Sequence, residues 1–201
     1  MNRYEGKSIE EILEEVASKQ QVNVSDLIYE VIEEKDGFLG LGKRIVAEVS
    51  SYKDVAEFIH EYLSTFFRNI EINVKVDVEF DGKVYRINLD AENNAVIIGR
   101  GGQTLQALTT VLRGAVNSRY KRRFIISLDI NNYKADRYEK LKSLAYRVAK
   151  SVQSSKVAVK LDPMPSDERR IIHNYLSKME HIVTISEGEG PERRLVISYK
   201  K

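Results

Sequence analysis

Gly99-Arg100-Gly101-Gly102 constrains this chain more than any other stretch. It is a Gly-x-x-Gly loop set between an apolar run ending in Ile97-Ile98 and an amphipathic helix that opens at Gln103. Glycine reaches positive φ without strain, so the chain can turn within these residues and its backbone can lie close against a ligand. The first N–H groups of the following helix have no intrahelical partners and attract anions. No Asp or Glu lies between Glu92 and Asp129, whereas Arg100, Arg113, Arg119, Lys121, Arg122 and Arg123 all do. A glycine hinge, a helix start and an acid-free basic stretch together imply a phosphodiester-binding site.

A length of 201 residues has room for one large domain or two to three small ones. Cysteine is absent, which excludes disulfides and thiolate metal sites, and His60, His173 and His181 are scattered. No metal and no other cofactor is expected. No apolar run reaches membrane-spanning length, and the N-terminus lacks the apolar core of a signal peptide. A cytoplasmic protein is expected, reaching a membrane only through a partner. Residues 1–51 hold 6 basic and 11 acidic side chains, residues 52–130 hold 11 and 10, and residues 131–201 hold 15 and 9. A polyanion is therefore attracted to the C-terminal part and repelled by the first fifty residues.

The expected fold class is α+β, in three small modules at 1–51, 52–130 and 131–201. The first reads as a β-α-β-β unit. Ser8-x-x-Glu11 is a capping box ahead of Ile9, Ile12, Leu13, Val16 and Ala17 at helical spacing. Residues 28–34 and 45–49 read as strands. Three glycines in Lys35-Asp36-Gly37-Phe38-Leu39-Gly40-Leu41-Gly42 turn the chain between them. Phe38, Leu39 and Leu41 are either buried plugs or an apolar contact for a partner. The second module reads α-β-β-α-α-β: an amphipathic helix carrying Val55, Phe58, Ile59, Tyr62, Leu63 and Phe66, then strict alternation from Ile72 to Phe80. Asp81-Gly82 predicts a two-residue type I′ hairpin turn into a strand over 84–89. A short helix over 93–98, the glycine loop, a helix with Leu105, Leu108, Val111, Leu112, Ala115 and Val116 inward, and a strand over 124–128 complete it. The third module starts near Asn132 with a long helix that turns Leu141, Leu144, Ala145, Val148 and Val152 inward. Lys134, Arg137, Lys140, Lys142, Arg147 and Lys150 occupy its other faces. A short strand over 157–160, a helix from Ser166 to Leu176 and strands over 182–186 and 195–199 make up helices on a small three-stranded sheet.

The glycine loop can hold a sugar-phosphate chain with Gly99, Gly101, Gly102 and the helix start at Gln103, while Arg100 follows a phosphate and Ile97 and Ile98 floor the bases. This is the arrangement of a KH domain, whose loop clamps about four nucleotides of a single strand. A P-loop needs Gly-Lys-Ser/Thr where Gly102-Gln103-Thr104 stands, and a dinucleotide fingerprint needs glycine at position 104. A tight helix–helix turn is the plain alternative. Arg169 and His173 lie one helical turn apart and can take phosphate and base together. In the plain alternative His173 donates to a backbone carbonyl and Arg169 pairs with a carboxylate. The run Lys121, Arg122 and Arg123 either reinforces phosphate attraction or forms a solvated helix exit. His60 and His181 read as structural or exposed. No residues here point to an enzyme: there is no thiol, no ligand cluster and no Ser/His/Asp constellation.

Residues 52–130 resemble a type II KH domain. Asp167-Glu168-Arg169-Arg170-Ile171-Ile172-His173 resembles the R3H domain, named for its Arg-x-x-x-His spacing and associated with single-stranded nucleic acids. The glycine-rich stretch at 35–42 resembles the Jag N-terminal domain. In this order the three resemble the Jag family of bacterial proteins, also called KhpB or EloR, over nearly the whole chain. Several members carry a long acidic linker after the first domain, whereas the connection here is a few residues. The resemblance implies a non-catalytic binder of single-stranded RNA, or DNA, that regulates cell elongation and division. It also implies a KH-only heterodimer partner and no small-molecule substrate. The alternative function is a scaffold whose residues 1–51 recruit an envelope-assembly protein, with RNA secondary.

Overall fold

The computed structural model describes residues 2–35 and 44–200, in two compact units, Met1–Asn131 and Asn132–Lys201. Phe38, Leu39 and Leu41 lie outside the described residues. The fold is α+β, as expected.

The first unit opens with β1 (Asn2–Gly6), α1 (Ile9–Gln20), β2 (Ile28–Lys35) and β3 (Arg44–Ser50). The leading strand of the β-α-β-β unit is Asn2–Gly6. The Ser8 hydroxyl accepts from Glu11 N–H at 3.1 Å, but the Glu11 carboxylate reaches Lys7 N–H at 2.9 Å instead of the Ser8 amide. The box is thus offset by one residue. β3 is central, antiparallel to both neighbours, so it is the strand that turns Ile45, Ala47 and Val49 onto Ile12, Leu13, Val16 and Ala17 of α1. β2 is an edge strand with a register shift between Val31 and Glu33. Its Tyr29, Val31 and Ile32 stay exposed.

The same unit continues with α2 (Tyr52–Asn69), β4 (Val74–Phe80), β5 (Val84–Ala91), α3 (Asn94–Ile98), α4 (Gln103–Tyr120) and β6 (Ile125–Ile130). β4 and β5 are antiparallel, and β6 runs parallel to β5. This is the α-β-β-α-α-β order read from the sequence. Ser51 caps α2 through a full capping box with Asp54. The buried row of α2 is Val55, Ile59, Leu63 and Phe67, stepping by four, so Phe67 and not Phe66 closes the stripe. The hairpin is not a type I′ turn. That turn needs positive φ at both central residues, and only Gly82 has it. Phe80 pairs with Tyr85, and Asp81 Oδ1 accepts from Lys83 N–H and Val84 N–H at 3.0 and 2.8 Å. The side chain builds a longer Asx-type turn in place of the backbone's own.

Three contacts tie the first fifty residues to this sheet and its helices. Gln20 Nε2 donates to Asp54 Oδ2 at 3.1 Å while Lys53 Nζ donates to Gln20 O at 2.7 Å. Lys121 Nζ reaches both Glu30 carboxylate oxygens at 2.7 Å; within the sheet-and-helix part itself, the Tyr120 hydroxyl donates to Asp54 O at 3.0 Å.

The second unit comprises α5 (Tyr133–Ser155), β7 (Val159–Lys160), α6 (Ser166–Leu176), β8 (Ile182–Glu187) and β9 (Arg194–Tyr199). β9 is central and antiparallel to β7 and β8. Leu141, Ala145, Ala149 and Val152 of α5 pack on Ile172, Leu176, Ile182, Leu195 and Ile197. Leu144 faces out, and Ala149 takes the place expected of it. Arg137 is not on a solvated face: it donates from Nε and Nη2 to the two oxygens of buried Glu168 at 2.9 and 3.1 Å.

Candidate nucleic-acid interface

Gly99 ends α3 by donating its N–H to Ala95 O at 2.9 Å. Its φ of 70° and ψ of −179° belong to a region open in practice to glycine alone. A Cβ there would collide with the Thr104 hydroxyl and stand 2.8 Å from the Thr104 Cβ. Gly101 and Gly102 follow at φ 60° and 83°. Three of the four loop residues thus need a conformation that L side chains rarely adopt, and the turn is compact because all three are glycine. Arg100 and Gly101 are exposed, and Gly99 and Gly102 are half-buried, so the bend stands at the surface. No side chain caps the N-terminus of α4, and its first turn holds no acid. The Gln103 N–H is taken by Arg100 O, and the helix sets the positive end of its dipole beside the loop.

Three expected members of this site are placed differently. Ile97 is 3% exposed and anchors the loop in the core, so it cannot floor a base; Ile98 keeps a partly open surface. Lys121 and Arg122 follow the C-terminus of the 18-residue α4, roughly 27 Å from the loop at 1.5 Å per residue. Lys121 is held above the ordinary lysine range by its hydrogen bond to Glu30. Arg122 is exposed. Arg119 stacks its guanidinium over the Phe58 ring at 4.8 Å.

In the second unit Arg169 is half-buried and donates from Nη1 to Met164 O at 2.6 Å. Its buried Nε has no partner among the described residues. His173 is exposed, with Nδ1 2.6 Å from the Thr184 hydroxyl of β8. The plain alternative is inverted: the carbonyl belongs to the arginine, and a hydroxyl, not a carbonyl, meets the histidine. Arg170 is exposed on the same helix. His181 stacks on Tyr199 and approaches Lys200 O at 3.2 Å, while His60 is exposed. Thr104, Thr184 and Glu168 were missed in the sequence. Glu168 alone carried a signal, as an acid inside the motif that a buried helix face would have to pair.

Family models match the chain in the same succession as the modules. The Jag N-terminus matches residues 4–50, the KH domain of KhpA/KhpB residues 56–128, and the R3H domain residues 139–199. RNA-binding protein KhpB of Bacillus subtilis (strain 168) is 35% identical over 204 residues, covering 98% of this chain and 97% of the relative. The chain belongs to the KhpB family. RNA-binding protein KhpB of Clostridium symbiosum is 33% identical over 199 residues, covering 97% and 90%. The KhpB of Lactiplantibacillus plantarum (strain ATCC BAA-793 / NCIMB 8826 / WCFS1) is 30% identical over 157 residues, 78% of this chain but 49% of the relative. The glycine loop falls inside the KH match and the Arg169–His173 pair inside the R3H match. Among the described residues no helix is long and apolar enough to cross a membrane.

Proposed function

We propose that this chain, in three modules at 1–51, 52–130 and 131–201, binds single-stranded RNA without catalysis through the second and third. Gly99, Arg100, Gly101, Gly102 and the helix start at Gln103 take the sugar-phosphate chain. Arg170 and the ring of His173 offer a second contact, with Arg169 bracing their helix from Met164 O. The observation that carries this reading is the exposed left-handed glycine turn feeding a helix without a side-chain cap, in a family whose members are named RNA-binding proteins. The family resemblance extends the reading to a cytoplasmic regulator of cell elongation and division with a KH-only partner.

The test is the double substitution Arg100→Asp with Gly101→Asp. Aspartate tolerates the left-handed region better than most residues, so the fold survives. Affinity for an unstructured RNA drops by about tenfold or more as two phosphate-facing positions turn negative. Full affinity in a variant with native circular dichroism would place the RNA elsewhere. One observation favours the scaffold reading for residues 1–51: Tyr29, Val31 and Ile32 are exposed on an edge strand, where a partner strand can add. Val31→Lys in the full chain would then abolish capture of that partner and leave RNA affinity unchanged.

A further inference from the structure

A cleft of about 580 Å³ opens at the end of the KH sheet away from the glycine loop, between the 81–83 turn, the start of β6 and the 3-10 turn Val24–Asp26. β5 runs from Val84 at this cleft to Ala91, three residues before α3. The full length of α4 likewise separates the cleft from the loop. The volume is within the roughly 300–1,000 Å³ of small-ligand sites.

One wall is aromatic. Phe80 stacks against Tyr52 at 5.3 Å and against Tyr85 at 4.5 Å, and Phe124 meets Tyr85 edge-on at 5.8 Å. Tyr85 is buried, whereas Tyr52, Phe80 and Phe124 are half-buried and line the cleft. The other wall is cationic. Lys83, Arg122 and Arg123 line it and are exposed, and none has a carboxylate partner among the described residues. Among the described residues Asp26 is the one carboxylate lining the cleft, and it accepts from Asn23 Nδ2 at 3.1 Å. Three cations against one acid leave an uncompensated positive field beside half-buried aromatic side chains. A ligand that answers both walls carries a planar base and a phosphate.

We propose that this cleft binds a nucleoside phosphate, the base against Tyr52, Phe80 and Phe124 and the phosphate on Arg122, Arg123 and Lys83. Arg122 thereby belongs to a second site and not to the glycine loop. The ligand is either a free nucleotide, a departure from the expectation of no small-molecule partner, or one nucleotide of a bound strand. The inference stands on the cleft and holds whether or not the loop binds RNA.

The experiment titrates adenosine 5′-monophosphate into the full chain, read by amide NMR. Amides of Lys83 and of residues 123–125 shift saturably, and those of Gly101–Gln103 do not. Adenosine without phosphate binds about tenfold or more weakly, and so does the nucleotide to Arg123→Glu, an exposed position. Phe124→Leu, which removes the ring and keeps an apolar side chain, weakens both nucleotide and nucleoside. The loop variant Arg100→Asp with Gly101→Asp retains the cleft shifts. Loss of those shifts in that variant, absence of saturation at millimolar nucleotide, or unchanged affinity in Arg123→Glu each overturns the proposal. A 5′-phosphorylated octaadenylate separates the sources. If it displaces the nucleotide, the ligand is part of a strand; if it shifts the loop and leaves the nucleotide in place, the ligand is free. Either result sustains the site.

Discussion

Gly99 shows how much one residue can decide. Its conformation terminates α3, and its missing Cβ lets Thr104 pack against the loop. Gly99→Ala must both adopt a strained φ and push Thr104 away, which costs about 1–3 kcal/mol. The urea midpoint falls accordingly, and RNA affinity falls with it because the turn is re-aimed. A midpoint equal to wild type would mean the loop has room that this geometry lacks. The glycine requirement was legible in the sequence, since positive φ is a property of single residues. The surroundings of Arg169 and His173 were not. Their spacing correctly put them on one helix face, but Met164 O and the Thr184 hydroxyl took them up individually.

Among the elements, the β4–β5 hairpin carries an acid-sensitive joint. The Asp81 carboxyl lies below its ordinary range because Val84 N–H and Lys83 N–H donate to it, with Arg86 adding a charged pair. A depressed carboxyl contributes stability that is present above its unfolded value near 3.8 and is lost as pH falls through the folded value. Asp81→Asn keeps an acceptor but not the charge. Wild type is therefore the more stable at neutral pH, and the gap in urea midpoint closes in acid; a gap independent of pH would show that the charge contributes nothing. The α5–α6 contact is a buried pair. Arg137→Met strands the Glu168 carboxylate, which is 5% exposed, and costs about 2–3 kcal/mol, less than a fully buried pair because a third of the Arg137 side chain meets water. Adding Glu168→Leu restores most of that loss in a double-mutant cycle. Both elements were read from the sequence as a hairpin and a helix. Their joints were not, because Asp-Gly also suits a shorter turn and Arg137 sat among cations that looked solvated.

For the whole molecule, charge is the property that matters for RNA. The acidic first fifty residues are in the same compact unit as the KH module, linked by the Lys121–Glu30 pair and the Gln20–Asp54 contact. A strand that engages about four phosphates at the loop releases counterions, and log affinity falls against log salt with a slope of about −3. Fluorescence anisotropy across a salt series measures it. A slope near zero would remove the phosphate clamp as the source of affinity.

Local rules determined the helices, strands, module order and left-handed turn of this chain, since capping, alternation and backbone freedom act within a few residues. Tertiary structure alone decided which charges stay free. Lys121, Arg122 and Arg123 are equivalent in the sequence. Folding brings Glu30, ninety-one positions away, onto the first and leaves the other two at an aromatic cleft. Coulomb attraction acts over ångströms in space, and no spacing along the chain encodes that distance.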